Sequence, residues 1–281
     1  MTRASLGGRQ ERRAAAGRPE RGEVPAFGDT SRRHGDTRLG AIVVIPTYNE
    51  RDNLPAIEAA LREHAPGTHL AVVDDGSPDG TGAIADRLAA TRPGEVHVLH
   101  RPEKQGLGTA YVAGFRRALE LGYSRVVQMD CDFSHDPAAV PSLLAGLDEG
   151  QGADLAVGSR YVPGGGTVNW GVIRALVSRA GSAYARAVLG LRYRDLTAGF
   201  KAWRREALEA IPLERVAAQG YCFQIEMTYR AHLLGLRIRE VPIVFVDRRV
   251  GQSKMSKRIV LEAVARCWAL RHELGSRHPP E

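Results

Sequence analysis

The sequence has 281 residues, enough for one large or two small domains, and 43% of them are hydrophobic, as in an ordinary packed globular protein. The formal net charge is +7, but residues 1–39 alone carry nine arginines against five acids, which leaves an excess of only +3 for the rest. That excess suits an anionic ligand or an anionic membrane surface and is too small to indicate a nucleic-acid-binding protein.

Residues 1–39 are rich in Arg, Gly, Ala and Pro without apolar periodicity, and we predict that they form a disordered arm. No apolar run approaches the roughly 18 to 20 residues that span a bilayer, and no signal peptide follows the N-terminal arginines. Cys131, Cys222 and Cys267 match no disulfide or metal spacing, which favours a reducing compartment. The expectation is a cytoplasmic protein that is not an integral membrane protein.

From residue 41 onward, short apolar runs rich in β-branched residues recur about every 28 residues. They are AIVVIP, LAVVDD, EVHVLH, RVVQMD and DLAVGS, starting at residues 41, 70, 95, 125 and 154. Nearly continuous apolar runs are typical of strands buried on both faces. Helical spacing lies between them, for example at Leu54, Ile57 and Leu61. This alternation predicts an α/β fold with a mostly parallel central sheet flanked by helices.

The second half of the chain contains two amphipathic helical patterns and one more strand. The first helix pattern runs from Val172 to Val188 and is expected to face the core, with a membrane-facing role as the alternative. Residues 237–246 alternate as a strand does, and a basic loop follows them. The last helix is predicted from about Ile259 to Leu270.

Three predicted strands end in polar clusters: PTYNE, DDGSPDG and DCDFSHD. Because ligands of such sheets bind at the carboxyl ends of the strands, the clusters predict one shared site. Asp130 and Asp132 flank a single residue, so an extended backbone would point both side chains to one side, where they could share Mg²⁺ or Mn²⁺. The alternative for this short motif is that the two aspartates only stabilise a turn at the end of the strand. Asp136, just before Pro137, is predicted to cap a helix.

The other two clusters suit a nucleotide. Asp75 could accept hydrogen bonds from a base or a ribose, with a helix cap as the alternative for Asp74 or Asp75, and Asp79 belongs to a turn. Tyr48 can lie against a base and Glu50 can accept from base or sugar donors, unless this segment is only a loop.

Basic residues are expected to hold phosphates. Arg160 follows the fifth strand, and Arg248 and Lys254 lie six residues apart in a glycine-containing loop. Solvated surface is the competing interpretation for each, and we assign Arg249, Lys257 and Arg258 to it. The joint pattern, and not any single residue, carries the prediction.

In this order and spacing the motifs resemble those of family 2 glycosyltransferases, and within them the polyprenol-phosphate (dolichol-phosphate) mannose synthases. The resemblance runs from about Ala41 to Ile259 and rests on the segments VIPTYNERDNL, VVDDGSPDGT, GLGTAYVAGF, MDCDFSHDP, GSRYVPGG, GYCFQIEM and VPIVFVDRRVGQSKMS. It implies the GT-A nucleotide-sugar-binding fold over residues 40–255, preceded by the arm 1–39 and followed by an amphipathic helix and tail in 256–281. The sequence lacks the Gln-x-x-Arg-Trp pattern of processive polysaccharide synthases, which argues against a polymerising enzyme.

The resemblance also implies the residues of the site. Donor contacts are expected from Pro46, Tyr48, Glu50, Val73, Asp75, Asp130, Cys131, Asp132, Arg160, Arg248 and Lys254. Asp130 and Asp132 match the metal-binding DxD motif, and both are expected to be catalytic together with Arg160. Ser134 stands where some relatives have a glutamine, so Ser134, His135, Asp136 or water is left as the third metal ligand.

The implied activity is the transfer of mannose from GDP-mannose to the phosphate of a polyprenol phosphate, with inversion and with Mg²⁺ or Mn²⁺ as cofactor. The nearest alternative is glucose transfer from UDP-glucose to the same acceptor. A basic nucleic-acid-binding protein is the alternative from another class, but aromatic residues do not interleave with the basic ones and the acidic clusters would repel nucleic-acid phosphates. Without a predicted span, the enzyme should be peripheral at the cytoplasmic face of the membrane, alone or with a separate integral membrane partner.

Overall fold

The computed structural model describes Met1, residues 39–247 and residues 257–275. The strands within these residues are β1 (Leu39–Thr47), β2 (His69–Asp74), β3 (Val96–His100), β4 (Tyr123–Gln128), β5 (Leu155–Ser159), β6 (Gly166–Val168), β7 (Lys201–Arg204), β8 (Ile238–Pro242) and β9 (Val244–Val246). The α-helices are α1 (Leu54–His64), α2 (Thr81–Thr91), α3 (Leu107–Glu120), α4 (Val140–Asp148), α5 (Val172–Leu189), α6 (Arg205–Ala210), α7 (Gly220–Leu233) and α8 (Lys257–Gly275).

The described residues contain a seven-stranded sheet in the order β3-β2-β1-β4-β7-β5-β8. β7 runs antiparallel to both of its neighbours, and the other strands are parallel to one another. A second, two-stranded sheet pairs β6 with β9. The prediction of a mostly parallel sheet flanked by helices is therefore confirmed.

Both faces of the large sheet are covered by helices, which explains why its strands are apolar along their whole length. On one face, strand residues such as Val44 and Val73 pack with Tyr111 and Phe115 of α3. On the other face, α1 buries the predicted stripe Leu54, Ile57 and Leu61. Full burial of one such side chain contributes about 1.5–3 kcal/mol.

The chain order of the strands creates a crevice at the carboxyl end of β1. From β1 the chain proceeds outward through β2 and β3, then returns to form β4 on the opposite side of β1. The connections on the two sides therefore diverge at β1, and ligands of open α/β sheets bind at such a switch point. The loops after β1, β2 and β4 carry the three polar clusters of the sequence.

Two parts of the fold differ from the expectation. β7 was not predicted, because its sequence KAWR contains a lysine and an arginine, although Lys201 is fully buried in the structure. The strand predicted over residues 237–246 is divided into β8 and β9, and the two halves join different sheets. Ile243, between them, still donates its backbone N–H to the Ser159 carbonyl at 3.1 Å.

Helix α5 faces the core with only its second half. Ser182, Ala185, Val188 and Leu189 are buried, and this half packs against α8. In the first half the side chains of Val172, Ile173 and Leu176 are 84%, 80% and 67% exposed. The expectation of a core-facing helix thus holds for the C-terminal half alone. Among the described residues, no helix combines the length and the apolar content needed to cross a membrane.

Candidate active site

The loop that follows β4, residues 130–135, holds both aspartates of the DxD motif. β4 ends at Gln128, and the backbone then bends, with Phe133 at a left-handed φ of 58°. Strand alternation, on which the sequence argument relied, therefore does not determine where the two carboxylates point. Hydrogen bonds within the loop and to α3 determine it instead.

The carboxylates are held by three contacts of this loop. The Tyr111 hydroxyl, on α3, donates to Asp130 Oδ1 at 2.6 Å. The Asp130 backbone N–H donates to His135 Nδ1 at 3.0 Å, and the Ser134 backbone N–H donates to Asp132 Oδ1 at 3.0 Å. Burial, followed by the negative charge of Asp130, raises the pKa of Tyr111 well above its usual value. Tyr111 is thus a permanent hydrogen-bond donor to the loop.

The remaining residues of the loop have distinct surroundings. Cys131 is buried, and its burial together with the carboxylates of Glu50, Asp132 and Asp130 raises the pKa of its thiol well above the usual range. A thiol held protonated in this way is not a nucleophile. Asp136 accepts from the Ala138 N–H at 2.9 Å and caps the short 3₁₀ helix Pro137–Ala139, as predicted.

The two aspartates at the end of β2 have different roles. Asp74 accepts from the Thr47 hydroxyl at 3.1 Å and from the Ser77 hydroxyl at 2.6 Å, so it fastens the turn. Asp75 lies beside Arg101, with Oδ1 and Nη1 3.2 Å apart. Both atoms are buried and neither makes a hydrogen bond, because the contact is close but poorly aligned. Burial raises the pKa of Asp75 although Arg101 lowers it.

The residues after β1 line the other side of the crevice. Tyr48 is 37% exposed, and Lys104 Nζ lies 4.0 Å from the centroid of its ring. Glu50 accepts from the Asn53 side chain at 2.7 Å. Pro46 is paired with Val73 in the register of β1 and β2. The Val73 side chain is buried in the core, so a donor contact from Val73 has to come from its backbone.

Arg160 is not a free phosphate ligand but one half of a buried ion pair. Its Nε and Nη2 each donate to the Asp195 carboxylate at 2.6 Å, and Nη2 also donates to Thr197 at 2.7 Å. Asp195 is fully buried and Arg160 is 6% exposed. Burial lowers the pKa of Arg160, but hydrogen bonding to Asp195 together with its negative charge raises the pKa above the usual value overall. Arg160 can still attract an anion, with an orientation that Asp195 determines.

Aromatic side chains connect Arg160 to both the loop 130–135 and α5. The Arg160 guanidinium carbon lies 5.4 Å from the ring centroids of both Trp170 and Phe245. Phe245 makes an edge contact with His135 at 5.6 Å, and Arg174 of α5 lies 4.3 Å from the Trp170 ring. The carboxylates, Arg160 and the start of α5 therefore belong to one contiguous site.

The family follows from comparison with known proteins. The family model for Glycosyl transferase family 2 matches residues 42–211, which include both aspartates and Arg160. The chain belongs to this family. Its fold is accordingly the GT-A type.

Two curated relatives are similar over most of their length. One is the polyprenol monophosphomannose synthase of Mycolicibacterium smegmatis, 51% identical over 83% of this chain and 88% of the relative. The other is the undecaprenyl-phosphate mannosyltransferase of Micrococcus luteus, 52% identical over 80% of this chain and 91% of the relative.

Among solved structures, the chain resembles glucosyl-3-phosphoglycerate synthase of Mycobacterium tuberculosis in complex with Mn²⁺ and UDP-glucose. The TM-score is 0.59 at 26% identity, covering 82% of this chain and 79% of that one. A mannosyltransferase of Pyrobaculum calidifontis in complex with GDP-mannose and Mn²⁺ is 17% identical, with a TM-score of 0.50 over 84% of this chain and 75% of that one. At this identity it supports the fold alone.

The carboxylates of this family 2 glycosyltransferase fit a divalent cation. Asp130 and Asp132 offer the hard oxygen ligands that Mg²⁺ and Mn²⁺ prefer, and Mg²⁺ is often held by one or two carboxylates together with the phosphates of a ligand. Within the described residues no cluster of three or more His, Cys, Asp or Glu side chains is suited to a metal. Ser134, buried beside Asp132, remains a predicted ligand.

Several residues of the site were missed by sequence reasoning. They are Tyr111, Arg101, Asp195, Trp170 and Phe245. Tyr111 lies in an apolar helix pattern and Asp195 is 35 residues from its partner, so neither has a local signal. His135 was weighed only as a metal ligand. Arg248 and Lys254, predicted to bind phosphates, lie outside the described residues.

Proposed function

We propose that this glycosyltransferase transfers mannose from GDP-mannose to the phosphate of a polyprenol phosphate, giving polyprenol-phosphate mannose and GDP. The observation that carries the proposal is the contiguity of a carboxylate loop suited to a metal–diphosphate, a buried arginine and an exposed apolar helix. Such a site suits a donor that is a nucleotide sugar and an acceptor that is both anionic and lipidic. The names of the two relatives at 51% and 52% identity agree with this pairing.

On the donor side, the buried atoms Asp75 Oδ1 and Arg101 Nη1 are an acceptor and a donor side by side, 3.2 Å apart and without hydrogen bonds. An acceptor next to a donor is the pair of group types that a base edge with an N–H beside a carbonyl requires, as in guanine or uracil. The Tyr48 ring offers a stacking surface for the base. GDP-mannose is favoured over UDP-glucose because the 51–52% identical relatives are named for mannose transfer, whereas the UDP-glucose enzyme is only 26% identical.

The reaction is a single displacement. An oxygen of the acceptor phosphate attacks C1 of mannose while the bond from C1 to the β-phosphate of GDP breaks, and GDP leaves with the bonding electron pair. A phosphate monoester has a second pKa of about 6, so the acceptor is already an anion at neutral pH and needs no catalytic base. Direct displacement inverts the configuration at C1.

Within the site, Asp130 and Asp132 would hold Mg²⁺ or Mn²⁺, which when bound neutralises charge developing on the leaving diphosphate. Arg160 supplies a guanidinium group that Asp195 orients before any substrate arrives. Roles for Pro46, Val73, Cys131, Ser134, Arg248 and Lys254 in donor or metal binding remain predictions of the family pattern.

On the acceptor side, the first half of α5 is proposed to lie in the membrane interface and to receive the lipid. Val172, Ile173 and Leu176 expose a contiguous apolar stripe, and Arg174 lies on the same turns with its partner Asp247 at 2.6 Å. Helices with an apolar face and basic flanks bind anionic membrane surfaces. The enzyme would thus work as a peripheral protein at the cytoplasmic face, with or without an integral membrane partner.

The direct test is a pair of parallel incubations with a short polyprenol phosphate and Mg²⁺ or Mn²⁺, using labelled GDP-mannose in one and labelled UDP-glucose in the other. We expect a labelled lipid from GDP-mannose alone. Transfer from UDP-glucose instead would replace the donor assignment. No lipid product from either donor would contradict the proposed function.

A further inference from the structure

His135 is a buried histidine that contacts both halves of the site. It is only 2% exposed and stacks on Phe200 at a centroid distance of 4.9 Å. The contacts of its side chain include Phe200, Phe245 and the backbone N–H of Asp130. These contacts join the loop 130–135 to Phe200 beside β7 and to Phe245 of β9.

The ring nitrogen Nδ1 accepts the hydrogen bond of the Asp130 backbone N–H. Because the donor is a backbone amide, Nδ1 carries no proton and the ring proton is on Nε2. The last backbone bond from this end of β4 to β1 runs from the Met129 N–H to the Val44 carbonyl. The next amide, that of Asp130, donates its hydrogen bond to His135 instead, so this bond closes the loop 130–135 on itself.

The surroundings of His135 hold its ring in one orientation. Phe200 covers one face, Phe245 meets its edge, and a Cβ at Gly199 would come within 3.1 Å of Cε1. Gly199 and Phe200 directly precede β7, so the ring is braced by the large sheet itself. A ring that cannot turn keeps Nδ1 directed at the Asp130 amide.

We propose that His135 is a positioning residue: through Nδ1 it sets the backbone of Asp130, and thereby the relative placement of the two carboxylates that receive the cation. Phe245 contacts both His135 and Arg160, so the same ring couples the donor loop to the acceptor side of the site. The inference deepens the proposed function and rests on it for its catalytic consequence. Its binding consequence can be measured without an acceptor.

The test compares His135→Asn with His135→Gln. Asparagine places its amide oxygen near the position of Nδ1 and can accept from Asp130, whereas glutamine places a methylene there. We expect His135→Gln to bind Mn²⁺ in the presence of GDP about tenfold more weakly than His135→Asn, by electron paramagnetic resonance of free Mn²⁺. The two variants should have similar melting temperatures, and kcat should fall in the same order. Equal Mn²⁺ affinities, or weaker binding by His135→Asn, would overturn the proposal.

Gly199→Ala provides a second test that leaves the acceptor atom in place and serves if both substitutions prevent folding. The added methyl group should push the ring at Cε1 and weaken Mn²⁺ binding by a few-fold, since the ring carries the hydrogen bond. An unchanged affinity would contradict the proposal. If the wild-type protein binds Mn²⁺ and GDP but transfers no mannose, the proposed function fails, while the comparison of the two His135 variants still decides the role of His135.

Discussion

The loop 130–135 and the first half of α5, which we propose to be the two ends of one site, are built in opposite ways. In the loop, each of three contacts is specific: Tyr111 to Asp130, Asp130 to His135, and Ser134 to Asp132. In α5, Val172 and Ile173 are at least 80% exposed. The loop is organised in advance, and the helix face is left uncovered.

Under the proposed function, the difference reflects what each end recognises. Stabilising charge on a leaving diphosphate requires groups that are already oriented, because reorienting them during the reaction would cost free energy. A long hydrocarbon chain and a bilayer offer only apolar area, which is recognised without directional bonds. Substitutions in the loop should therefore affect turnover, and those in α5 should affect access to the acceptor.

The largest effect is expected from Asp132→Asn. The amide oxygen can still accept from the Ser134 N–H, but the negative charge for the cation is lost. Turnover should fall by about a thousandfold or more under saturating Mn²⁺, with an unchanged circular dichroism spectrum. Asp136→Asn is the matched control, because asparagine caps helices as well as aspartate does, and its activity should be close to wild type. Substantial activity of Asp132→Asn would remove the metal assignment.

Next in size is the effect of breaking the buried pair between Arg160 and Asp195. Asp195→Ala leaves the guanidinium charge buried without its partner and should lower the free energy of unfolding by about 3–5 kcal/mol. The double variant Arg160→Met with Asp195→Leu removes both charges and should be more stable than Asp195→Ala in urea denaturation. If Asp195→Ala were the more stable of the two, the Arg160 charge would not be uncompensated in that single variant. The double variant should still lack transferase activity.

The third prediction concerns the protonation of the buried Lys201 at the start of β7. Its Nζ donates to the Gln224 carbonyl at 2.8 Å, and full burial lowers its pKa from 10.5 to about 7. Between those values the unfolded chain binds more protons than the folded one, so this lysine makes stability rise with pH. The wild-type free energy of unfolding should rise relative to that of Lys201→Met, by up to about 1.4 kcal/mol per pH unit between pH 7 and 10. Parallel stability curves would show that Lys201 stays charged when folded.

The smallest effect on the folded protein is expected at α5. Ile173→Ser with Leu176→Ser removes apolar side chains that are already exposed, so the melting temperature should hardly change. The KM for a long-chain acceptor in anionic vesicles should rise about tenfold, whereas that for a short, water-soluble acceptor should not. Val188→Ser, at a buried position of the same helix, should lower the melting temperature and leave the KM for the long-chain acceptor unchanged. Equal KM changes for both acceptors would rule out a membrane-facing role.

Some elements of the fold could be predicted from the sequence and others could not. The buried parallel strands were recognisable because a strand covered on both faces has to be apolar throughout, as in residues 41–46. β7 was not recognisable in the sequence. Its buried Lys201 donates a hydrogen bond to Gln224 of α7, a partner that only the fold brings near. The sequence did not distinguish the exposed start of α5 from its packed end, since both carry apolar residues with helical spacing.

Local sequence patterns were enough to place the chemical groups at the ends of strands: Asp130 and Asp132 after β4, Asp75 after β2, and Tyr48 after β1. Parallel strand order makes those ends meet at one edge, so local patterns suffice for this much. Three contacts became visible only in the folded chain: Arg160 binds Asp195, Arg101 lies beside Asp75, and His135 accepts from the Asp130 backbone N–H. The first two contacts join residues far apart in the chain, and all three depend on burial, which strengthens an electrostatic contact by removing water and cannot be read from any single segment.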